Sequence, residues 1–263
     1  MNPFDTFPPT RSGRSWPPST ESSEMPAEER LLRRKLTLRQ ELSRRHDRTT
    51  IERYRPFERQ LLFHAHGAIH RERLLTAGNQ CGKTTCGAAE AAIHLTGRYP
   101  AWWEGKRFDK PVRGWVGSDG YLAVREAAQK LLVGSPEAEG EWGTGFIPGD
   151  DLVGWSRASG GVPNLLDHVT VRHHRNAGSD DAPVWRPDGT SVLGFKSYDQ
   201  GRAKWQGATL DFVWFDEEPP EDVYIEGLSR TNATGGIVWI TMTPLQGMTA
   251  LLQAFYDECG DGS

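Results

Sequence analysis

An α/β fold, with a mostly parallel central sheet flanked by helices, follows from three observations. From residue 54 onward, short apolar runs alternate with helical stretches, the order that builds parallel sheets. Two of these runs, 210–215 and 236–241, are nearly all apolar, as strands covered on both faces must be. Between a strand candidate and a helix candidate lies Ala77-Gly78-Asn79-Gln80-Cys81-Gly82-Lys83-Thr84, a small-residue turn of the phosphate-binding kind with Ala in place of the first Gly.

The elements follow in order. Fourteen of residues 1–26 are Pro, Ser or Thr, so a disordered tail is expected there. Residues 27–50 form a basic amphipathic helix and linker. Leu32, Leu36 and Leu42, with Leu31 and Leu38 beside them, give the apolar side. Glu28 and Glu29 open the helix, and Arg44, Arg45 and Arg48 close it, matching the helix dipole. Residues 27–48 carry eight Lys/Arg against four Asp/Glu, which suits either a solvated helix or a contact with DNA or a partner subunit. Residues 51–263 are one domain. A strand is expected at 73–76, a helix at 82–95, a strand at 112–116 and a helix at 121–132. Residues 134–165 hold many Gly and Pro and read as a long loop or insertion. Val169 and Val171 alternate with polar neighbours, as in a half-buried strand. Asp188-Gly189 is a hairpin-turn signal ahead of a strand at 191–195. The apolar strand at 210–215, a helix at 221–230 and the strand at 236–241 complete the order.

Composition bounds the rest. The 263 residues carry 31 Lys/Arg and 35 Asp/Glu, a net charge of −4. That excludes a histone-like basic protein but not a local basic patch. Ten Trp argue against a largely disordered chain. Three cysteines, Cys81, Cys86 and Cys259, make no disulfide framework and no metal-ligand spacing, which fits a reducing compartment. No secretory signal and no membrane-spanning run is visible.

The phosphate-loop pattern explains its own residue types. Small residues let backbone N–H groups turn toward phosphates, and the helix N-terminus adds partial positive charge. Lys83 would reach the β- and γ-phosphates, and the Thr84 hydroxyl, next to Thr85, would ligate Mg²⁺. The apolar strand 210–215 runs into Asp216-Glu217-Glu218. Ligands collect at the carboxyl ends of parallel strands. Asp216 would therefore bind Mg²⁺, and Glu217 would deprotonate the attacking water. Upstream, Tyr54 and Gln60 suit stacking on adenine and hydrogen bonding to its edge. Thr241 and Thr243, at the exit of the 236–241 strand, are placed to sense the γ-phosphate. Cys81 reads as an inert small residue of the loop, and Trp102-Trp103 as an exposed loop anchor. His168, His173 and His174 read as a hairpin surface rather than a metal site. Asp150-Asp151 and Asp180-Asp181 read as solvated turns.

Taken together, Gln60, AGNQCGKT, SYDQGRAKWQGATLDFVWFDEEPP and GGIVWITMTPLQG resemble the large terminase subunit of tailed bacteriophages over roughly residues 50–256. The resemblance implies a P-loop NTPase of the additional-strand, catalytic-Glu type. It implies an ATPase that, as a ring of subunits, drives double-stranded DNA into a prohead in the host cytoplasm. ATP and Mg²⁺ would be its cofactors, and the portal and a small terminase subunit its partners. Such a motor completes its site with an arginine: Arg202 is the first candidate, in trans on a neighbour, and Arg230 the second, with a structural ion pair as the alternative for either. Members normally continue into a nuclease domain, for which this chain leaves no room, so no nuclease activity is expected from it. A helicase-like DNA-remodelling ATPase and a non-catalytic remnant acting as a binding module are the competing readings.

Overall fold

The computed structural model describes residues 27–47, 50–159, 161–245 and 247–258; the expected tail at 1–26 and Cys259 lie outside them. The chain divides into two units, 1–43 and 44–263. Helix α1 (Ala27–Asp47), which starts in the first unit and ends just past its boundary, has Glu28 and Glu29 in its first turn. Its Leu31, Leu32, Leu36 and Leu38 are exposed.

The second unit is built on one seven-stranded sheet. Its strands are β1 (Glu72–Thr76), β2 (Arg113–Ser118), β3 (Leu152–Arg157), β4 (Leu166–Asn176), β5 (Trp185–Ser197), β6 (Phe212–Asp216) and β7 (Ile237–Met242). They lie in the order β1-β7-β6-β2-β5-β4-β3. The five from β1 to β5 are mutually parallel, and β4 and β3 add an antiparallel margin. Strand β7 stands between the phosphate-loop strand β1 and the carboxylate strand β6, so the additional-strand order is present.

Side-chain alternation divides the core. Every residue of β6 and β7 is buried. Phe212 and Trp214 face helix α4 (Lys83–Thr96), with Leu193, Phe195, Val169 and Val171 on the same side. Val213 and Phe215 face the other way, toward α7 (Glu221–Arg230) and α8 (Ala250–Glu258). Close approach is enforced by glycine: a Cβ on Gly87 of α4 would meet the Trp214 indole at 2.5 Å.

Beneath the phosphate loop lies a buried charge cluster. Glu90 of α4 pairs with Arg73 of β1 and, at 2.7 Å, with His64 of α3 (Glu58–His66). Burial alone would raise the Glu90 carboxyl, but Arg73 and the two histidines, His64 and His94, hold it well below the usual range. His64 Nε2 also meets the Tyr54 hydroxyl at 3.1 Å and Cys86 Sγ at 3.4 Å. Burial pushes the Cys86 thiol up, which keeps it protonated and inert.

Five expectations are corrected. The 134–165 segment is not only loop. It contains β3 and buries Phe146 and Ile147. Asp188-Gly189 does not turn the chain. It lies inside β5, where Asp188 accepts from His173 Nδ1 at 2.6 Å, and the hairpin connection is 177–184. Gly189 does take φ +141°, and a Cβ there would meet Pro111 at 2.7 Å, so glycine permits a close pass beside a β-bulge rather than a turn. His173 and His174 are buried, not surface, and Asp151 is buried 2.9 Å from Arg98 and 3.6 Å from His174. Asp180 does lie exposed. Trp103 is buried with its indole donating to the Lys106 carbonyl at 3.0 Å, so that pair is core rather than anchor. Among the described residues no cluster of three or more His, Cys, Asp or Glu is arranged to hold a metal.

Candidate nucleotide site

The carboxyl edge of the parallel strands gathers the predicted residues. After β1, residues 77–82 turn into α4, and the turn needs left-handed backbone at Gln80 (φ +61°) and Gly82 (φ +74°). Gly78, Asn79, Gln80 and Cys81 are exposed, and Ala77, Thr84 and Thr85 are half-buried. Lys83 is buried at the head of α4, its Nζ donating to the Gly78 carbonyl at 2.7 Å.

At the end of β6, Asp216 is 3% exposed. Its Oδ1 accepts from Thr241 Oγ1 at 2.9 Å, and Thr241 accepts from the Trp214 indole at 2.8 Å. Burial raises the Asp216 carboxyl to about 6, although hydrogen bonds from Thr241 and Thr84 and the charge of Lys83 work against it. A desolvated carboxylate beside a hydroxyl from the phosphate-loop helix is an oxygen donor set that a hard cation such as Mg²⁺ fits.

Glu217 departs from the strand. Its φ of +73° is left-handed, a conformation that costs a residue with a Cβ about 1–2 kcal/mol. Two contacts hold it: its N–H donates to the Thr241 carbonyl at 2.8 Å, and its own carbonyl accepts from the Tyr198 hydroxyl at 2.9 Å. Burial pushes the Tyr198 phenol well up, keeping it a donor. The Glu217 carboxylate accepts from the Thr243 N–H at 3.1 Å, and Thr243 Oγ1 donates to Asn79 Oδ1 at 3.0 Å. Glu217, Thr243 and Asn79 thus form a bridge from β6, past β7, to the phosphate loop.

Gln60 and Tyr54 take different places. Gln60 Nε2 donates to the Gly82 carbonyl at 3.1 Å, and Oε1 accepts from the Phe57 N–H at 3.0 Å, capping α3. Tyr54 is 8% exposed, wedged edge-on against His64 and Phe146. The exposed aromatic next to Gln60 is Phe57, at 71%. The sequence held a signal for this: Ile51 and Tyr54 lie three apart, a shared inward face, and Ile51 is buried too. Tyr198 had no comparable signal. Arg202 and Arg230 both pair with Glu226, at 3.0 and 2.8 Å.

Comparison with known proteins gives the chain a family. The family model "Terminase large subunit, T4likevirus-type, N-terminal" matches residues 74–261. The large terminase subunit of Salmonella phage P22 is 43% identical over 214 residues, covering 77% of this chain and 41% of that protein. The chain thus spans about two fifths of the length of that relative. Among solved structures, the Thermus phage P74-26 large terminase ATPase domain is 20% identical, with TM-score 0.48, over 80% of this chain and 71% of that one. The HK97 bacteriophage large terminase is 13% identical, with TM-score 0.41, over 82% and 40%. With most of its described domain matched by the family model, the chain belongs to the terminase large subunit family, in the N-terminal region of that family.

Proposed function

We propose that the chain is the ATP-hydrolysing motor region of a DNA-packaging terminase, moving double-stranded DNA into a prohead. The observation that carries this is the Glu217–Thr243–Asn79 bridge beside the Thr84–Asp216 pair. It sets a carboxylate base, a cation-binding carboxylate and a phosphate loop at one sheet edge. In this reading the backbone of Ala77 to Gly82 cradles phosphates, and Lys83 leaves the Gly78 carbonyl to contact them. Thr84 and Asp216 would hold Mg²⁺, which when bound neutralises phosphate charge. Glu217 accepts the proton of the attacking water. Thr241 keeps Asp216 in place, and Thr243 registers whether the γ-phosphate is present. Gln60 braces the phosphate loop at the base-binding end, and Phe57 rather than Tyr54 supplies the stacking face.

Arg202 lies before Trp205, which stacks on Phe215 on the α7 side of the sheet. The phosphate loop leads into α4 on the opposite side. That separation supports Arg202 acting in trans, within a ring of subunits working with portal, prohead and small terminase subunit in the host cytoplasm. Among the described residues no helix is long and apolar enough to cross a membrane.

Purified chain with duplex DNA tests the reading. Glu217→Gln should bind ATP with near wild-type affinity and hydrolyse it at least about 100-fold more slowly, as loss of a general base does. Lys83→Ala should lose nucleotide-dependent activity altogether. Wild-type turnover by Glu217→Gln would refute the assignment.

A further inference from the structure

The two candidate arginines converge on one buried carboxylate. Glu226 of α7 is 5% exposed. Its Oε2 accepts from Arg202 Nε at 3.0 Å and lies 3.5 Å from Gln206 Nε2, while Oε1 lies 2.8 Å from Arg230 Nη2. Hydrogen bonding from Arg202 holds the Glu226 carboxyl below its ordinary range.

The attachment of Arg202 is one-sided. A guanidinium carries five N–H donors in one fixed plane. Only Nε is engaged; among the described residues neither Nη group has a partner, and the side chain is 57% exposed. Arg230 differs. Its side chain is only 28% exposed, and its Nε is buried without a hydrogen-bond partner. One carboxylate therefore anchors an enclosed arginine with one oxygen and orients an open one with the other. Gly201, immediately before, has φ +67° and nothing within 4 Å of a would-be Cβ. Its glycine serves the backbone turn that brings Arg202 back over α7.

We propose that Glu226 is a positioning residue: by fixing Nε it orients Arg202 so that the free Nη edge meets the nucleotide phosphates of a neighbouring copy of the chain. This rests on the in-trans reading of Arg202. Losing one hydrogen bond leaves a long, flexible side chain whose charge is intact but whose orientation is unset. The cost falls on kcat, because arginine stabilises charge that develops in the transition state.

ATP hydrolysis by the full chain with duplex DNA, in single variants and in mixtures, tests this. Arg202→Ala and Glu226→Ala should each lower kcat about 100-fold with KM for ATP changed less than about threefold. Glu226→Gln, which keeps an acceptor for Nε, should stay within about fivefold of wild type. Mixing either alanine variant with Glu217→Gln should restore turnover, because the silent subunits carry an intact Arg202 and Glu226. A purely structural role for Glu226 would not be rescued by a neighbour. Wild-type turnover by Arg202→Ala overturns the in-trans reading itself. A slow Arg202→Ala beside a fast Glu226→Ala overturns only the positioning role. So does a slow Glu226→Ala that the mixture fails to restore, including one that melts early.

Discussion

Replacing Asp216 by Asn should stabilise the ligand-free protein at neutral pH. Burial lifts this carboxyl from 3.8 to about 6, so the folded chain holds its proton more tightly than the unfolded chain does. The sign follows from linkage. The stabilising contribution is fully present below pH 3.8 and is lost as pH rises through about 6. A difference of about two pH units, at ~1.36 kcal/mol each, makes that loss about 3 kcal/mol by pH 8. The amide is neutral throughout, is nearly isosteric, and still offers an oxygen to the Thr241 hydroxyl. Urea unfolding of both proteins from about pH 4 to pH 8 reads the effect directly. The variant's advantage should be near zero at the acid end and approach about 3 kcal/mol at the alkaline end. Mg²⁺ with a non-hydrolysable ATP analogue should raise the wild-type midpoint by more than the variant's, which keeps the phosphate loop and Lys83 but loses the charged cation ligand. An advantage independent of pH, or a variant less stable at pH 8, would mean that burial does not raise the proton affinity of Asp216.

Four further predictions concern the site and the core behind it. Thr243→Val removes the hydroxyl bonded to Asn79 but keeps the backbone N–H on Glu217; kcat should fall about tenfold while ATP binding by fluorescence titration is nearly unchanged. Phe57→Ala should weaken ATP binding about tenfold, the worth of about 1.4 kcal/mol of stacking, with thermal stability unchanged. Tyr54→Phe, which deprives His64 of its hydroxyl partner, should do the reverse, costing about 1 kcal/mol of stability with no change in affinity. Gly87→Ala drives a Cβ into the Trp214 indole, which donates to the threonine that holds Asp216. It should destabilise the fold by about 1–3 kcal/mol and raise the Mg²⁺ concentration needed for turnover.

What the sequence made legible was what consecutive residues decide. The phosphate loop is one eight-residue turn, and its Gly82 and Lys83 mark the loop-to-helix boundary by themselves. The apolar runs at β6 and β7 have no fate but the centre of a sheet. What it concealed depended on distant partners. His64, Arg73 and Glu90 carry no shared spacing, yet folding brings them together in the core. Asp151, read as a solvated turn, is buried because Arg98 and His174 arrive to meet it. At Asp188-Gly189 the local turn preference is real. It loses to the pairing of β5 with β4 on both sides of it. Tyr54 and Phe57 are three residues apart and equally aromatic, and only the packing of Phe146 and Trp102 over Tyr54 decides which one stays free.

The left-handed Glu217 joins these levels. Side chains on a strand alternate between the two faces of the sheet, so a glutamate continuing β6 would point into the α4 layer or the α7 layer. Asp216 takes the α4 side, where Thr84 and Lys83 meet it, so the next residue would point into the α7 layer with Val213 and Phe215, away from the phosphate loop that follows β1, beyond β7. Breaking the strand with φ +73° frees the carboxylate to run along the sheet edge instead, where Thr243 N–H receives it. The backbone cost of about 1–2 kcal/mol is offset by fixed partners on either side, the Thr241 carbonyl and the Tyr198 hydroxyl. Thr241 serves two neighbours at once, its carbonyl holding Glu217 and its hydroxyl holding Asp216. One residue of the inserted strand β7 therefore sets both carboxylates. A displacement of β7 relative to β6 would move the Glu217 and Asp216 carboxylates together, and through Thr243 and Asn79 it would reach the phosphate loop as well. Under the proposed function, that chain of hydrogen bonds is the route by which a change at the phosphates would reach the sheet, and it would make the strand between β1 and β6 part of the site and not merely of the scaffold.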